Sequence, residues 1–116
     1  MNRRAMADEA PQRGEVWIVR FGPSSGGEID KTRPAVVLSN DTANALLNRI
    51  QVVPVSSRVS RLYPAEAYVT LNGERRKAMA DQITTISKLR LQRPLGRLSR
   101  EDMEAVERVV GGQLGL

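Results

Sequence analysis

Glu66-Ala-Tyr-Val-Thr-Leu-Asn-Gly73 is the stretch on which the fold turns. Ala67, Val69 and Leu71 alternate with more polar neighbours, the period of a half-buried strand, and Asn72-Gly73 supplies the two residues that most readily take the positive φ of a tight hairpin turn. A strand that returns antiparallel on itself is predicted there. Downstream, residues 77–80 and 82–86 predict one or two further strands, and Leu95-Gly-Arg-Leu98 another. Upstream, Tyr63-Pro64 makes a break, and Ile50-Gln-Val-Val-Pro-Val-Ser56 reads as a strand whose Pro54 implies an edge or a bulge. Earlier still come Glu15-Val-Trp-Ile-Val-Arg-Phe21 and Pro34-Ala-Val-Val-Leu-Ser39, separated by the glycine-rich Gly22-Pro-Ser-Ser-Gly-Gly27. Asn40-Asp41 offers an N-cap for a short helix over 42–48.

The tail changes period. Ser99 is an N-cap with acids behind it, and Met103, Val106 and Val110 share one helical face. Gly111-Gly112 is expected to end that helix. Many short strands with a terminal helix in 116 residues predict a mainly β or α+β domain, either a small barrel or a compact α+β unit. Residues 1–12 read as a disordered extension and 13–116 as one domain. No stretch approaches the roughly 20 apolar residues of a membrane span, and the first dozen lack the apolar run of a signal peptide. A cytoplasmic location is therefore expected.

Composition excludes whole classes of chemistry. The chain has no cysteine and no histidine, so thiolate nucleophiles, disulfides, imidazole bases and His or Cys metal cages are all ruled out. Carboxylates, hydroxyls, arginines and backbone amides remain. The net charge is +5, and arginines outnumber lysines 15 to 3, favouring groups that fork onto phosphate oxygens. Charge is uneven: residues 1–55 carry +1, residues 56–97 carry +6, and residues 98–116 carry −2. The acids of the last segment suit a helix N-terminus.

Three constellations could carry chemistry. In Gly26-Gly-Glu-Ile-Asp-Lys-Thr-Arg-Pro34, a flexible loop can fold the carboxylate of Glu28 and the guanidinium of Arg33 over a phosphate. Val55-Ser-Ser-Arg58 places the hydroxyls of Ser56 and Ser57 and the charge of Arg58 at a strand end, where site residues often stand. Asp81-Gln82 is a polar pair between two strands. Each has a plainer reading as solvated loop charges, a turn cap or a strand-end cap. Trp17 and Phe21 suit a core, whereas Tyr63 and Tyr68 lie in the basic part and suit base stacking.

Five runs in order, Arg13-Gly-Glu-Val-Trp-Ile-Val-Arg-Phe21, Gly27-Glu28 leading to Arg33-Pro-Ala-Val-Val-Leu-Ser-Asn-Asp41, Val53-Pro-Val-Ser-Ser57, Ala80-Asp-Gln-Ile83 and Leu95-Gly-Arg-Leu98, resemble the MazF/PemK family of toxin endoribonucleases. The resemblance covers about residues 13–110. It implies a twisted SH3-like barrel of the CcdB/PemK kind with short helices and a C-terminal helix, assembled as a homodimer. It also implies a toxin that cuts single-stranded mRNA at short motifs without metal or cofactor, through 2′-hydroxyl attack that leaves a 2′,3′-cyclic phosphate and a 5′-hydroxyl. The implied partner is a MazE-like antitoxin, an acidic, partly disordered segment.

By the same resemblance, Arg33 matches the catalytic arginine, and Ser56 stands where the family usually has threonine. Glu28 matches an acidic loop position suited to a general base or to orienting the 2′-hydroxyl. Asp81 and Gln82 match a pair along the RNA groove, with Ser57 and Arg58 beside it. One position departs: Met79 replaces an arginine found in some members two residues before the Asp-Gln pair. Arg33 must then cover both functions, or Lys77 or Arg58 supplies the missing cation. Two other readings share the fold. One is a gyrase poison like CcdB, which the C-terminal Gln113-Leu-Gly-Leu116 disfavours because those proteins use Trp-Gly-Ile; the other is a catalytically lapsed RNA-binding relative.

Overall fold

The computed structural model describes residues 10–22 and 31–116. The expected extension over 1–12 and the loop with Glu28 thus fall largely outside the described residues. Asn72 (φ +52) and Gly73 (φ +83) form the turn that joins β4 (Glu66–Leu71) to β5 (Glu74–Met79), paired from Leu71↔Glu74 to Glu66↔Met79. Both central residues have positive φ, as a type I′ turn requires.

The other strands are β1 (Glu15–Arg20), β2 (Thr32–Val37), β3 (Arg49–Ser56), β6 (Thr84–Ser87) and β7 (Leu91–Arg97). All pair antiparallel, in the order β4-β5-β3-β2-β1-β7, with β6 also on β3. The helices are α1 (Asp41–Leu46), capped by Asn40, and α2 (Arg100–Leu114), capped by Ser99.

β3 is the spine of the sheet, which corrects the expectation drawn from Pro54. One edge of β3 faces β2; the other pairs β6 through Val52 and β5 from Val55. Leu38 donates to the Gln51 carbonyl, so by alternation position 54 directs its nitrogen away from β2, into the gap between β6 and β5. Proline loses no ladder bond there. Pro94 obeys the edge rule in the ordinary way, since among the described residues β7 pairs only β1 and does so with two register shifts.

Alternation along β2 and β3 sends side chains to two clusters. Val36, Val53 and Val55 join Val69, Leu71, Ala78 and the Met103, Val106 and Val110 face of α2, while Ala35, Val37, Ile50 and Val52 join Val19 and Ile86. Trp17 and Phe21 pack against the second cluster, as expected of core aromatics. The sheet curls into a half-barrel. Asn72 Nδ2 donates to the Leu95 carbonyl at 3.0 Å, tying the hairpin tip to β7, and a Cβ on Gly96 would stand 2.9 Å from Asn72 Oδ1.

The terminal helix also departs from expectation. α2 continues through Gly111-Gly112 and stops at Gly115, whose φ of +74 is the left-handed value that closes a C-terminus. Its acids do more than complement a dipole: Asp102 accepts the Thr70 amide of edge strand β4 at 2.8 Å, and Glu107 pairs with Arg13. Among the described residues no helix is long and apolar enough to cross a membrane.

Candidate active site

β2 is buried from Ala35 onward and exposed at Thr32 and Arg33, so the guanidinium of Arg33 emerges where the core gives out. Ala35 pairs with Pro54 at the end of the β2–β3 ladder, and by alternation Arg33 and Ser56, two residues beyond each, lie on the face those two share. Residues directly opposite on antiparallel strands share a face. Ser56 is half-buried, and its Oγ accepts the Arg58 amide at 3.1 Å, which turns the chain outward and leaves the hydroxyl proton free to be donated. Ser57 and Arg58 are exposed just beyond it.

Asp81 and Gln82 occupy a 3-10 turn, Ala80–Gln82, between β5 and β6. β5 runs from Lys77 opposite Ser56 toward the middle of β3, so this turn fills the gap beside Pro54. Both polar side chains are exposed. Gln82 Nε2 lies 3.7 Å from Met79 Sδ, and Met79 is on the strand face opposite Ala78, the face that Lys77 shares with Ser56. Arg33, Ser56 and the 80–82 turn therefore open on a common side of the sheet. Glu28 lies outside the described residues.

Lys77 is placed otherwise than a phosphate-binding cation should be. Its Nζ is 2.8 Å from Glu66 Oε1 and donates to the Arg61 carbonyl at 2.8 Å, with the two side chains only 8% and 9% exposed. It also stands 5.2 Å from the Tyr63 ring centroid. Burial pushes the Glu66 carboxyl up, but the hydrogen bonds from Lys77 and from the Tyr63 amide, with the Lys77 charge, outweigh it and hold the carboxyl below its ordinary value. Tyr68 is committed as well: its hydroxyl donates to the Val59 carbonyl at 2.8 Å and Arg75 lies 4.4 Å over its ring. Tyr63 remains 51% exposed, the better stacking surface.

Sequence reasoning missed this Glu66–Lys77 pair. The signal was available, because a two-residue turn at Asn72-Gly73 puts Lys77 opposite Tyr68 and diagonal to Glu66. Among the described residues no group of three acidic side chains could hold a metal.

The chain matches the model of the PemK-like, MazF-like toxins of type II toxin–antitoxin systems over residues 12–114. It is similar to "Endoribonuclease MazF9" of Mycobacterium tuberculosis (strain ATCC 25618 / H37Rv), at 40% identity over 90% of this chain and 97% of that protein. The crystal structure of a MazE–MazF complex from Deinococcus radiodurans superposes with a TM-score of 0.80 at 27% identity, covering 94% of this chain and 99% of its counterpart. MazF alone from the same organism gives 0.79 at 28% identity, covering 94% and 100%.

Proposed function

This chain belongs to the PemK-like, MazF-like toxins of type II toxin–antitoxin systems, and from that premise we propose that Arg33 and Ser56 are the core of its RNA-cleaving site. It is an endoribonuclease and the toxin of a toxin–antitoxin pair. The observation that supports the site assignment is that Arg33, exposed, and Ser56, half-buried, each lie two residues beyond the last β2–β3 pair, Ala35↔Pro54, and on the face that pair shares.

The reaction needs no metal: the ribose 2′-oxygen attacks the adjacent phosphorus and the 5′-oxygen departs, giving a 2′,3′-cyclic phosphate and a 5′-hydroxyl. Negative charge grows on the two non-bridging oxygens, and the forked donors of Arg33 with the Ser56 hydroxyl stabilise it there. The proton lost by the 2′-hydroxyl passes to Glu28. One proton must return to the 5′-oxygen. Met79 is buried and offers none, and Lys77 is spent on Glu66, so it comes from the Arg33 side, through the guanidinium or a water it holds. With no histidine in the chain to relay these protons, slow turnover is expected.

Single-stranded mRNA runs past Ser57, Arg58, Asp81 and Gln82 in this reading, and the basic 56–97 segment supplies its salt-dependent attraction. The same surface receives an acidic antitoxin segment that folds as it binds. The toxin domain spans 13–116 and works in the cytoplasm, where mRNA is. Self-association uses Leu46, Leu47 and Leu89, 78%, 50% and 94% exposed around one cleft, a patch too apolar to stay bare. Leu89→Asp is expected to yield a monomer by light scattering.

The deciding experiment incubates the protein with single-stranded RNA in EDTA and weighs the fragments. Cyclic-phosphate ends support the reading. Linear phosphates, or dependence on Mg²⁺, count against the mechanism; bound but intact RNA would identify a lapsed relative.

A further inference from the structure

Residues 57–65 form neither strand nor helix, yet beyond Arg58, whose amide Ser56 Oγ accepts, three side chains of the β4–β5 hairpin hold them across its outer face. Tyr68 Oη holds the Val59 carbonyl at 2.8 Å, Lys77 Nζ holds the Arg61 carbonyl at 2.8 Å, and Glu66 Oε1 accepts the Tyr63 amide at 2.9 Å. Glu66 and Lys77 then neutralise one another at 2.8 Å beneath the segment. Among the described residues no buried side-chain nitrogen or oxygen lacks a partner. What the segment presents outward is different in kind: Ser57, Arg58, Arg61 and Tyr63 are all exposed.

Backbone groups tied down from below, with the Arg61 guanidinium set against the exposed Tyr63 hydroxyl at 3.5 Å and Arg58 exposed nearby, describe a surface shaped in advance. We infer that Glu66, Lys77 and Tyr68 are positioning residues, a clasp that sets segment 57–65 so that Arg58, Arg61 and Tyr63 meet the RNA as one preformed recognition surface. The inference rests on the endoribonuclease reading and adds to it where selectivity resides. A segment ordered before RNA arrives does not spend binding energy on its own ordering, so the clasp acts on binding. Arg33 and Ser56 stand on β2 and β3, and the bond from the Arg58 amide to Ser56 Oγ involves none of the three clasp side chains, so chemistry at saturation is left nearly untouched.

The test measures kcat and KM of the full chain on a single-stranded RNA oligonucleotide, and the rate of tryptic nicking after Arg58 and Arg61. Lys77→Met is compared with Glu66→Gln/Lys77→Met, which leaves no unpaired carboxylate, and with the mild Tyr68→Phe, which removes only the bond to Val59. For the double variant, KM is expected to rise about tenfold with kcat within about twofold, and nicking to accelerate about tenfold. Tyr68→Phe is expected to move both in the same direction by about threefold. Unchanged KM and nicking in either folded variant overturns the clasp, and so does a fall in kcat at constant KM. If the wild-type chain cuts no RNA, the functional reading fails, and nicking alone still decides whether the clasp exists.

Discussion

Arg33 and Lys77 are both cations on strands, both beside a hydroxyl and within reach of an acid in sequence, yet the fold gives them opposite fates. At the end of β2, Arg33 stands exposed beyond the core, on the sheet face that Ser56 shares. On the outer face of β5, Lys77 is covered, paired to Glu66 and bonded to the Arg61 carbonyl. A positive charge is available to an RNA phosphate only where the protein has not already spent it. The +6 of residues 56–97 therefore overstates the charge on offer, and part of that segment builds the surface instead of touching the substrate.

Removing each group in turn is the way to break this contrast. The largest effect is expected from Arg33→Ala, a fall in kcat of about 10³-fold, or about 4 kcal/mol, since it withdraws donors aimed at developing charge. Its unfolding free energy should change by less than about 0.5 kcal/mol, because the side chain is exposed. Lys77→Met should do the converse, costing about 2–3 kcal/mol in a denaturant titration, less than for a deep pair because only one layer of chain covers it. Ser56→Ala is expected to lower kcat about tenfold, about 1.4 kcal/mol, with Thr at the same position restoring or exceeding the original rate because its methyl restricts χ1.

The smallest effect is a pH dependence. Glu66 titrates below its ordinary value of 4.5 in the folded chain, so its contribution is complete above that pH and is lost as pH falls through the lowered folded value. Glu66→Gln should flatten that acid limb of stability by about 1 kcal/mol or less. A limb that persists in the variant would assign the acid sensitivity elsewhere.

How much of this was legible in the chain depends on the distance over which each feature is decided. Asn72-Gly73 dictates its turn locally, and the pairing from Leu71↔Glu74 to Glu66↔Met79 follows by counting. Asn40 and Ser99 cap their helices as short polar residues do. Pro54 misled because its tolerance depends on two strands, β5 and β6, meeting β3 on either side of it. Gly111-Gly112 looked like a stop, but only one residue must take the left-handed conformation, and Gly115 does so. In the site, Arg33 and Ser56 were readable as polar residues at strand ends. Lys77 was not, because its burial comes from a segment 16 residues away folding over it, as its bond to Arg61 records.

One comparison bears most directly on the division between an open and a spent cation. Single-turnover cleavage of a single-stranded RNA at saturating enzyme is measured for Arg33→Ala and for the folded Glu66→Gln/Lys77→Met variant. The first is expected to lose about 10³-fold and the second to stay within about twofold of the original rate. Cleavage that survives loss of Arg33 and collapses with Lys77 would contradict it.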